Sequence, residues 1–176
     1  MQLARTYIST PLGEMLALAS EDGLCALEFT GPRKRIPRLE ARLSRWFPSH
    51  EIVDREARVI ARMRKWLTAY FAGTSAAAED IPLDMRGAPF EKRVWTALCA
   101  IPPGQTTSYG AIAKSLGDAG ASRAVGAANG ANPVAIIVPC HRVIGSTGSL
   151  TGYGGGLERK KWLIDHERRW REGQLF

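Results

Sequence analysis

Apolar residues recur at strand-like spacing near the start of the chain and at helical spacing after it. Three segments predict strands: LARTYIST, EMLALAS and LCALEFT. A tight-turn signal at 21–23 joins the last two. Helical periodicity follows over 37–47 and 55–73, and Gly73 is a plausible stop for the second helix. Gly, Ser, Pro and Asp then break the pattern over 73–89, which predicts a linker.

The second half begins with helices. Pro89 stands in the first turn of a helix, and the apolar positions of that helix are Phe90, Val94, Leu98 and Ile101. The segment SYGAIAKSLG predicts a short helix that Ser108 caps and Gly117 ends. SRAVGAANGA predicts another short helix after a tight turn. Two short helices joined in this way are typical of a helix-turn-helix.

The rest of the chain alternates apolar and glycine-rich segments. The apolar run VAIIVP, at 134–139, predicts a buried strand. A glycine-rich loop follows over 145–156, and the segment LERKKWLIDHERRW predicts a closing helix.

The net charge of +7 is concentrated in the second half of the chain. Residues 1–85 carry 12 Lys and Arg against 11 Asp and Glu, whereas residues 86–176 carry 12 against 6. Such an excess suits a polyanionic partner such as nucleic acid, although a solvated basic surface explains it as well. Three cysteines without a CxxC pair indicate a reducing, cytoplasmic compartment. We see no signal-peptide pattern and no apolar run long enough to span a membrane.

The second helix of the helix-turn-helix carries few side chains that could read base edges. Its small residues are Gly126, Ala127, Ala128 and Gly130, and its polar ones are Arg123 and Asn129. Small residues allow tight packing inside a domain, which is the interpretation that spacing alone favours. They would equally let the helix lie in the minor groove of DNA. Sequence-specific repression is disfavoured in both cases.

A cysteine and a histidine stand side by side in IIVPCHRVIG, at 136–145. A cysteine nucleophile needs a base or a cation to become a thiolate, and His141 is the obvious base for Cys140. Because consecutive strand residues point to opposite faces, the chain must bend after Pro139 or a water must relay the proton. The histidine needs an acceptor that fixes its tautomer, and Glu167 is the candidate carboxylate.

The other cysteines and histidines have plainer interpretations. Cys25 and Cys99 lie in apolar periodic segments and are expected in the core. His50 and His166 are expected at the surface, and Arg142 is a candidate ion-pair partner. No cluster of Cys and His has zinc-like spacing, so we expect no metal.

Together the motifs resemble one family. The segment NPVAIIVPCHRVIG, preceded by SRAVGAANGA and followed by TGYGGGLERKKWLIDHE, is closely similar to the O6-alkylguanine-DNA alkyltransferases. The likeness covers residues 86–170, and the first half matches in layout. It implies an α+β fold, with a small N-terminal antiparallel sheet with helices in a ribonuclease-H-like layout over residues 1–82. A mainly helical C-terminal domain with a winged-helix-like helix-turn-helix would occupy residues 83–176.

The resemblance implies a single-turnover repair reaction that needs no cofactor. The alkyl group of O6-alkylguanine passes irreversibly to the Cys140 thiolate, and O4-alkylthymine is an open second substrate. His141 takes the thiol proton through a water, and Glu167 orients the histidine. Tyr109 donates a hydrogen bond or a proton to the base and helps to rotate the nucleotide.

The resemblance also implies how the base and the DNA are bound. The carbonyls of Cys140 and Val143 accept from the exocyclic amine of guanine. A loop closes over the base with Tyr153, Gly154 and Gly155. Some relatives have a serine where this chain has Gly154, so only a backbone N–H is available there to the guanine oxygen. Some relatives also hold an N-terminal zinc, for which Cys25 lacks partnering ligands.

For the DNA, the resemblance implies a duplex bound through its minor groove without regard to sequence. Arg123 would enter the base stack in place of the flipped guanine, and Ala127 belongs to the small face of the binding helix. Asn132 would tie the helix-turn-helix to the active-site strand. We expect a monomer that uses no membrane, and cooperative binding along DNA stays open.

Three other functions compete with suicidal alkyl transfer. A non-catalytic sensor of alkylated guanine is disfavoured because such relatives replace the cysteine that this chain keeps. A transcription regulator is disfavoured by the lack of base-reading side chains and of room for a metal-binding domain. A thiol hydrolase would differ by turning over repeatedly.

Overall fold

The computed structural model describes residues 1–74, 78 and 80–173, which fall into two compact units. The first unit comprises residues 1–86 together with 133–135, and the second comprises 87–132 and the chain from 136 onward. Residues 75–77 and 79, within the predicted linker, lie outside the described residues. The domain limits 1–82 and 83–176 remain a prediction.

The first unit is built on a four-stranded sheet with the order β3-β2-β1-β4. Its strands are β1 (Gln2–Thr10), β2 (Gly13–Ala19), β3 (Leu24–Phe29) and β4 (Glu51–Asp54). The first three are the predicted strands, and they pair antiparallel in sequence order. The fourth was not predicted, and it pairs parallel to β1. It is four residues long and mostly exposed, so its sequence shows no apolar alternation.

Two predicted helices cover this sheet: α1 (Arg35–Trp46) and α2 (Arg58–Phe71). Leu39 and Leu43 on α1 pack in one cluster with Leu18 and Cys25 of the sheet. The helix α2 buries a stripe of residues at helical spacing: Ile60, Met63, Trp66, Leu67 and Tyr70. Cys25 is therefore core, as predicted, and burial raises the pKa of its thiol to about 11.

The second unit is mainly helical, with α3 (Pro89–Cys99), α4 (Tyr109–Ser115), α5 (Ser122–Gly130) and α6 (Leu157–Arg171). Two short strands, β5 (Thr107–Ser108) and β6 (Val143–Ile144), pair in parallel. Trp95 of α3 donates its indole N–H to the carbonyl oxygen of Ala128 on α5 at 2.9 Å. None of the helices among the described residues is long and apolar enough to cross a membrane.

The helix-turn-helix of α4 and α5 forms as the sequence predicts. Ser108 caps α4 by accepting a hydrogen bond from the backbone N–H of Ala111 at 3.1 Å. Gly117 follows the end of that helix with a φ of 86°, in the left-handed region that glycine adopts without strain.

The predicted strand at 134–139 is wrong. Val134 makes a single parallel bridge to Leu27, after which the chain turns. Ile136 has a φ of 71°, which a continuous strand does not allow. An apolar run of this length indicates burial, and these residues are buried, but it does not distinguish a strand from a buried turn.

Candidate active site

Cys140 lies on a short 3-10 helix, Cys140–Arg142, which begins directly after Pro139. Successive residues of a 3-10 helix are about 120° apart around its axis, so Cys140 and His141 do not point to opposite faces as they would on a strand. The chain therefore turns here, which is one of the two alternatives that the sequence left open. All three residues of this reactive turn are buried.

Two asparagines, one in the last turn of α5 and one just after that helix, hold the reactive turn. Asn132 donates its Nδ2 to the carbonyl of Val138 at 2.8 Å, just before the cysteine. Asn129 donates its Nδ2 to the carbonyl of Cys140 at 3.3 Å. The resemblance implied that Asn132 ties the helix-turn-helix to the segment that carries the cysteine. Asn132 does contact that segment, which is a turn and not the expected strand. Asn129 was noticed in the sequence only as a polar residue of the helix.

Glu167 on α6 reaches the histidine. Its Oε1 lies 2.7 Å from Nε2 of His141, and the two side chains are 1% and 0% exposed. Arg142 donates Nε to the Oε2 of Glu167 at 2.8 Å and Nη2 to its Oε1 at 2.9 Å. The same guanidinium donates Nη1 to the carbonyl of Ile101 at 2.5 Å. The expected ion-pair role of Arg142 is confirmed, and its partner is the carboxylate that contacts the histidine.

The Glu167 carboxylate is held in its ionised form. Burial by itself opposes ionisation, but attraction to His141 and hydrogen bonds from His141 and Arg142 outweigh it, so the pKa of Glu167 lies well below its usual range. An ionised carboxylate can only accept, which makes Nε2 of His141 the donor. The Nδ1 of His141 is buried and makes no hydrogen bond to any residue in the described ranges. The neutral tautomer set by Glu167 leaves this Nδ1 as a proton acceptor.

Tyr109, the first residue of α4, closes another side of the site. Its hydroxyl donates to the carbonyl of Thr151 at 3.0 Å and lies 3.7 Å from where a Cβ on Gly152 would be. Burial raises the pKa of Tyr109, although the hydrogen bond to Thr151 opposes the rise. The hydroxyl therefore stays protonated, and its single proton is donated to the Thr151 carbonyl.

A buried lysine that the sequence reasoning missed joins the same loop to β6. Lys160 on α6 is fully buried, and its Nζ donates to Val143 O at 2.5 Å, Thr151 O at 2.7 Å and Gly152 O at 3.5 Å. Burial lowers its pKa to about 8, while attraction to Cys140 acts in the opposite direction. The burial of Lys160, though not its carbonyl partners, could have been predicted from the sequence, because Lys160 lies on the helical stripe of Leu163, Ile164 and Glu167.

Other predicted site residues lie around this centre or on the outside of α5. Val143 is buried and follows the reactive turn directly. In the glycine-rich loop, Tyr153 and Gly154 are half-buried and Gly155 is buried. Arg123 and Ala127 are exposed on α5, whose inner face carries the buried Val125, Ala128 and Asn129. The structure thus brings Cys140, His141 and Glu167 together and places Arg123 and Ala127 on the surface of the helix that holds them.

Two further predictions are wrong. Cys99 is exposed, because it follows Leu98, the last buried position of α3, and lies off the apolar face. His166 is buried rather than at the surface, since its ring stacks on Trp162 one helical turn away, with ring centroids 4.6 Å apart. Among the described residues, no group of three or more His, Cys, Asp or Glu side chains could hold a metal ion.

Fold and site together define a protein with a helix-turn-helix and a buried cysteine, followed in the chain by a histidine that contacts a buried carboxylate. Residues 3–85 match the 6-O-methylguanine DNA methyltransferase, ribonuclease-like domain. Residues 89–169 match the 6-O-methylguanine DNA methyltransferase, DNA binding domain. The chain belongs to the 6-O-methylguanine DNA methyltransferase family. The predicted family and the predicted α+β fold class are thereby confirmed.

Individual relatives support this assignment along the whole chain. The methylated-DNA–protein-cysteine methyltransferase of Salmonella typhimurium is 45% identical over 169 residues, which cover 95% of this chain and 96% of that protein. A crystal structure of Mycobacterium tuberculosis O6-methylguanine methyltransferase is 40% identical, with a TM-score of 0.77 and coverage of 94% and 93%. Mycobacterium tuberculosis OGT in complex with DNA is 39% identical, with a TM-score of 0.78 and coverage of 100% and 99%.

Proposed function

We propose that this protein repairs alkylated DNA by direct reversal, with Cys140 as the acceptor of the alkyl group from O6-alkylguanine. The chain is a single-turnover alkyltransferase, since the thioether that forms is stable and consumes the cysteine. The observation that carries the proposal is the arrangement of Cys140 and His141 on a turn fastened to the helix-turn-helix, with Glu167 of α6 in contact with the histidine. It is supported by membership of a family whose named relatives are methylated-DNA–protein-cysteine methyltransferases.

The contacts in the site suit each step of such a transfer. The Cys140 thiol loses its proton, through a water, to Nδ1 of His141, while Glu167 stabilises the positive charge that forms on the imidazole. The thiolate then attacks the alkyl carbon, forming a C–S bond as the C–O6 bond breaks. The guanine leaves as an anion and takes its proton from the Tyr109 hydroxyl, which gives up its hydrogen bond to the Thr151 carbonyl. The proton held by His141 then restores the tyrosine.

We assign the DNA contacts to the exposed face of α5. This face consists of Arg123, Ala124, Ala127 and Gly130, so it is smooth apart from one arginine. A smooth helix fits a narrow minor groove and reads little sequence, which suits a protein that must find a lesion anywhere. Arg123 would fill the stack when the damaged nucleotide rotates outward. The loop of Tyr153, Gly154 and Gly155 would close over the flipped base.

The remaining expectations belong to the same proposal. The protein acts as a monomer in the cytoplasm, without a cofactor, on duplex DNA of any sequence. A non-catalytic sensor is the second candidate, and the presence of Cys140 with its buried base counts against it.

Intact-mass measurement after incubation with a duplex carrying O6-methylguanine tests the proposal. We expect a gain of one methyl group per protein molecule that does not increase with excess DNA, because the acceptor is consumed. Cys140→Ser should show no gain. The matched control Cys99→Ser removes an exposed cysteine and should react as the wild type does. Repeated turnover, or tight binding without a change in mass, would contradict the proposal.

A further inference from the structure

The turn between α3 and β5 has a conformation that its sequence dictates. The backbone N–H of Gln105 donates to the carbonyl of Pro102 at 3.2 Å, which closes a four-residue turn. Pro103 stands at its second position, and Gly104 stands at its third with a φ of 78°, in the left-handed region. Proline and glycine at these positions are typical of a type II turn. The sequence therefore fixes the direction in which the N–H of Gly104 points.

Backbone groups of this turn contact both members of the buried ion pair. The carbonyl of Ile101 accepts from Nη1 of Arg142 at 2.5 Å. The N–H of Gly104 donates to Oε2 of Glu167 at 3.5 Å, at the long end of the range for a hydrogen bond. With this contact, Oε2 accepts from Gly104 and Arg142, while Oε1 accepts from His141 and Arg142. The turn thus helps to hold the carboxylate in place.

Gly104 also sets how closely the turn approaches α6. A Cβ on this residue would lie 2.9 Å from Cβ of Arg171 and 3.1 Å from the carbonyl oxygen of Glu167. Atoms this close must move apart, and neither of these atoms is the far end of a flexible side chain. A side chain at position 104 would therefore displace the part of α6 that carries Glu167.

We propose that Gly104 is a positioning residue for the alkylation of Cys140, and that it acts through Glu167. The carboxylate lies 2.7 Å from Nε2 of His141, and holding it there keeps Nδ1 ready to take the thiol proton. This inference rests on the proposed function and adds to it a residue that maintains the base. Titratable or charged groups also face the reactive turn and Gly104 from neighbouring helices: Cys99 of α3, Tyr109 of α4, and Lys160 and Arg171 of α6.

The pH dependence of Cys140 alkylation by iodoacetamide tests this role. The rate is read from the mass of the peptide that carries Cys140, so the other cysteines do not interfere. In Gly104→Ala, a displaced Glu167 no longer stabilises the imidazolium, and the thiolate forms only at higher pH. We expect the rate at neutral pH to fall about ten-fold, the effect of one buried hydrogen bond. The pH of half-maximal rate should rise by about one unit, and the rates should converge with wild type at high pH.

Gly173→Ala is the matched control. Gly173 follows the end of α6 with a φ of 70°, and a Cβ there would meet no other described part of the chain within 4 Å. The substitution imposes similar backbone strain without crowding, so the pH dependence should stay that of the wild type. An equal fractional loss at every pH in Gly104→Ala would overturn the proposal, because a general loss of structure does not shift a titration. A shift of the same size in Gly173→Ala would overturn it as well.

Hydrogen exchange in the wild type gives a test that needs no variant to fold. The N–H of Gly104 donates to a carboxylate that is 1% exposed, whereas the N–H of Gly120 donates to the exposed Asp118. We expect the amide of Gly104 to exchange more slowly than that of Gly120. Equal exchange rates would overturn the proposal, because the N–H would then not be held by the buried pair.

The proposed function has a separate outcome. Methyl transfer from a duplex carrying O6-methylguanine is measured by intact mass on the same preparations. A wild type that transfers no methyl group contradicts the alkyltransferase function, while the iodoacetamide profiles still decide whether Gly104 positions the base of Cys140.

Discussion

At the residue scale, Lys160 does more than fill the core. It is a fully buried ammonium whose donors end on the backbone of β6 and on the glycine-rich loop at 151 and 152. Burying a charge without partners is expensive, and three carbonyl acceptors offset that cost here. Tyr109 donates to the same loop at Thr151, so both side chains hold the part of the loop at 151 and 152. The lysine therefore acts as a positioning residue for the pocket.

Replacing Lys160 with methionine should release the loop. The change removes one donor from each of three carbonyls, of which that of Val143 is buried, and we expect a loss of about 2 kcal/mol in the free energy of unfolding. The rate of methyl transfer should fall at least ten-fold, because a loose loop no longer encloses the base. Urea unfolding and single-turnover rates measure the two effects.

The neighbouring lysine provides the control for this change. Lys161 is exposed and pairs with Asp165 one turn along α6, a contact worth a few tenths of a kcal/mol. Lys161→Met removes the same charge from the same helix and should leave both the unfolding free energy and the rate close to wild type. Similar effects of the two substitutions would mean that the stability and the rate depend on net charge rather than on the hydrogen bonds from Lys160 to the loop.

At the scale of elements, the sequence predicted the periodic parts and missed the buried turn. The helix-turn-helix followed from Ser108, Gly117 and the spacing of small residues, because caps and helical periods are local signals. The turn before Cys140 could not be predicted from such signals, because its conformation depends on the contact of Asn132 and on the left-handed backbone of Ile136. Three-residue and two-residue elements such as the reactive 3-10 helix and β6 have no period to detect.

The residues of the site also fall into those that the sequence could identify and those that it could not. Cys140, His141 and Glu167 could be named from adjacency and from the need of a histidine for a carboxylate, and the family resemblance supplied most of the other residues. Asn129 and Lys160 could not be assigned, because their roles come from backbone carbonyls that only the folded chain brings within reach. Backbone acceptors carry no signature in the sequence. For the same reason the burial of His166 between two tryptophans was missed.

The smooth face of α5 makes a prediction of its own. Ala127 is exposed, so Ala127→Leu should leave the fold intact while adding bulk where a narrow groove must approach. We expect affinity for an undamaged duplex, measured by fluorescence anisotropy, to fall about ten-fold or more. The reactivity of Cys140 toward a small thiol reagent should not change. The exposed Ala61 on α2 gives the matched control, and Ala61→Leu should bind DNA normally. Normal binding by Ala127→Leu would remove α5 from the DNA interface.

At the scale of the whole molecule, the two units differ in what their polar residues do. The first unit buries an ion pair, with the carboxylate of Glu28 held by Arg35, and this pair is internal to the unit. The second unit buries Arg142 and Lys160 near Cys140 and exposes most of its other cations. The excess of basic residues over acidic ones also lies in residues 86–176. Attraction to the phosphate backbone should therefore come from the second unit.

Salt dependence measures this attraction directly. Each phosphate contact by a lysine or arginine releases counterions, so the logarithm of the DNA-binding constant falls linearly with the logarithm of salt concentration. Lys114 is exposed at the end of α4, and Lys114→Gln should make that slope shallower by about one contact. Arg58→Gln, at the start of α2 in the first unit, removes the same charge and should leave the slope unchanged. Two undamaged duplexes of unrelated sequence should give the same slopes and affinities, because backbone contacts carry no sequence information. A shallower slope for Arg58→Gln, with none for Lys114→Gln, would place the phosphate contacts on the first unit instead.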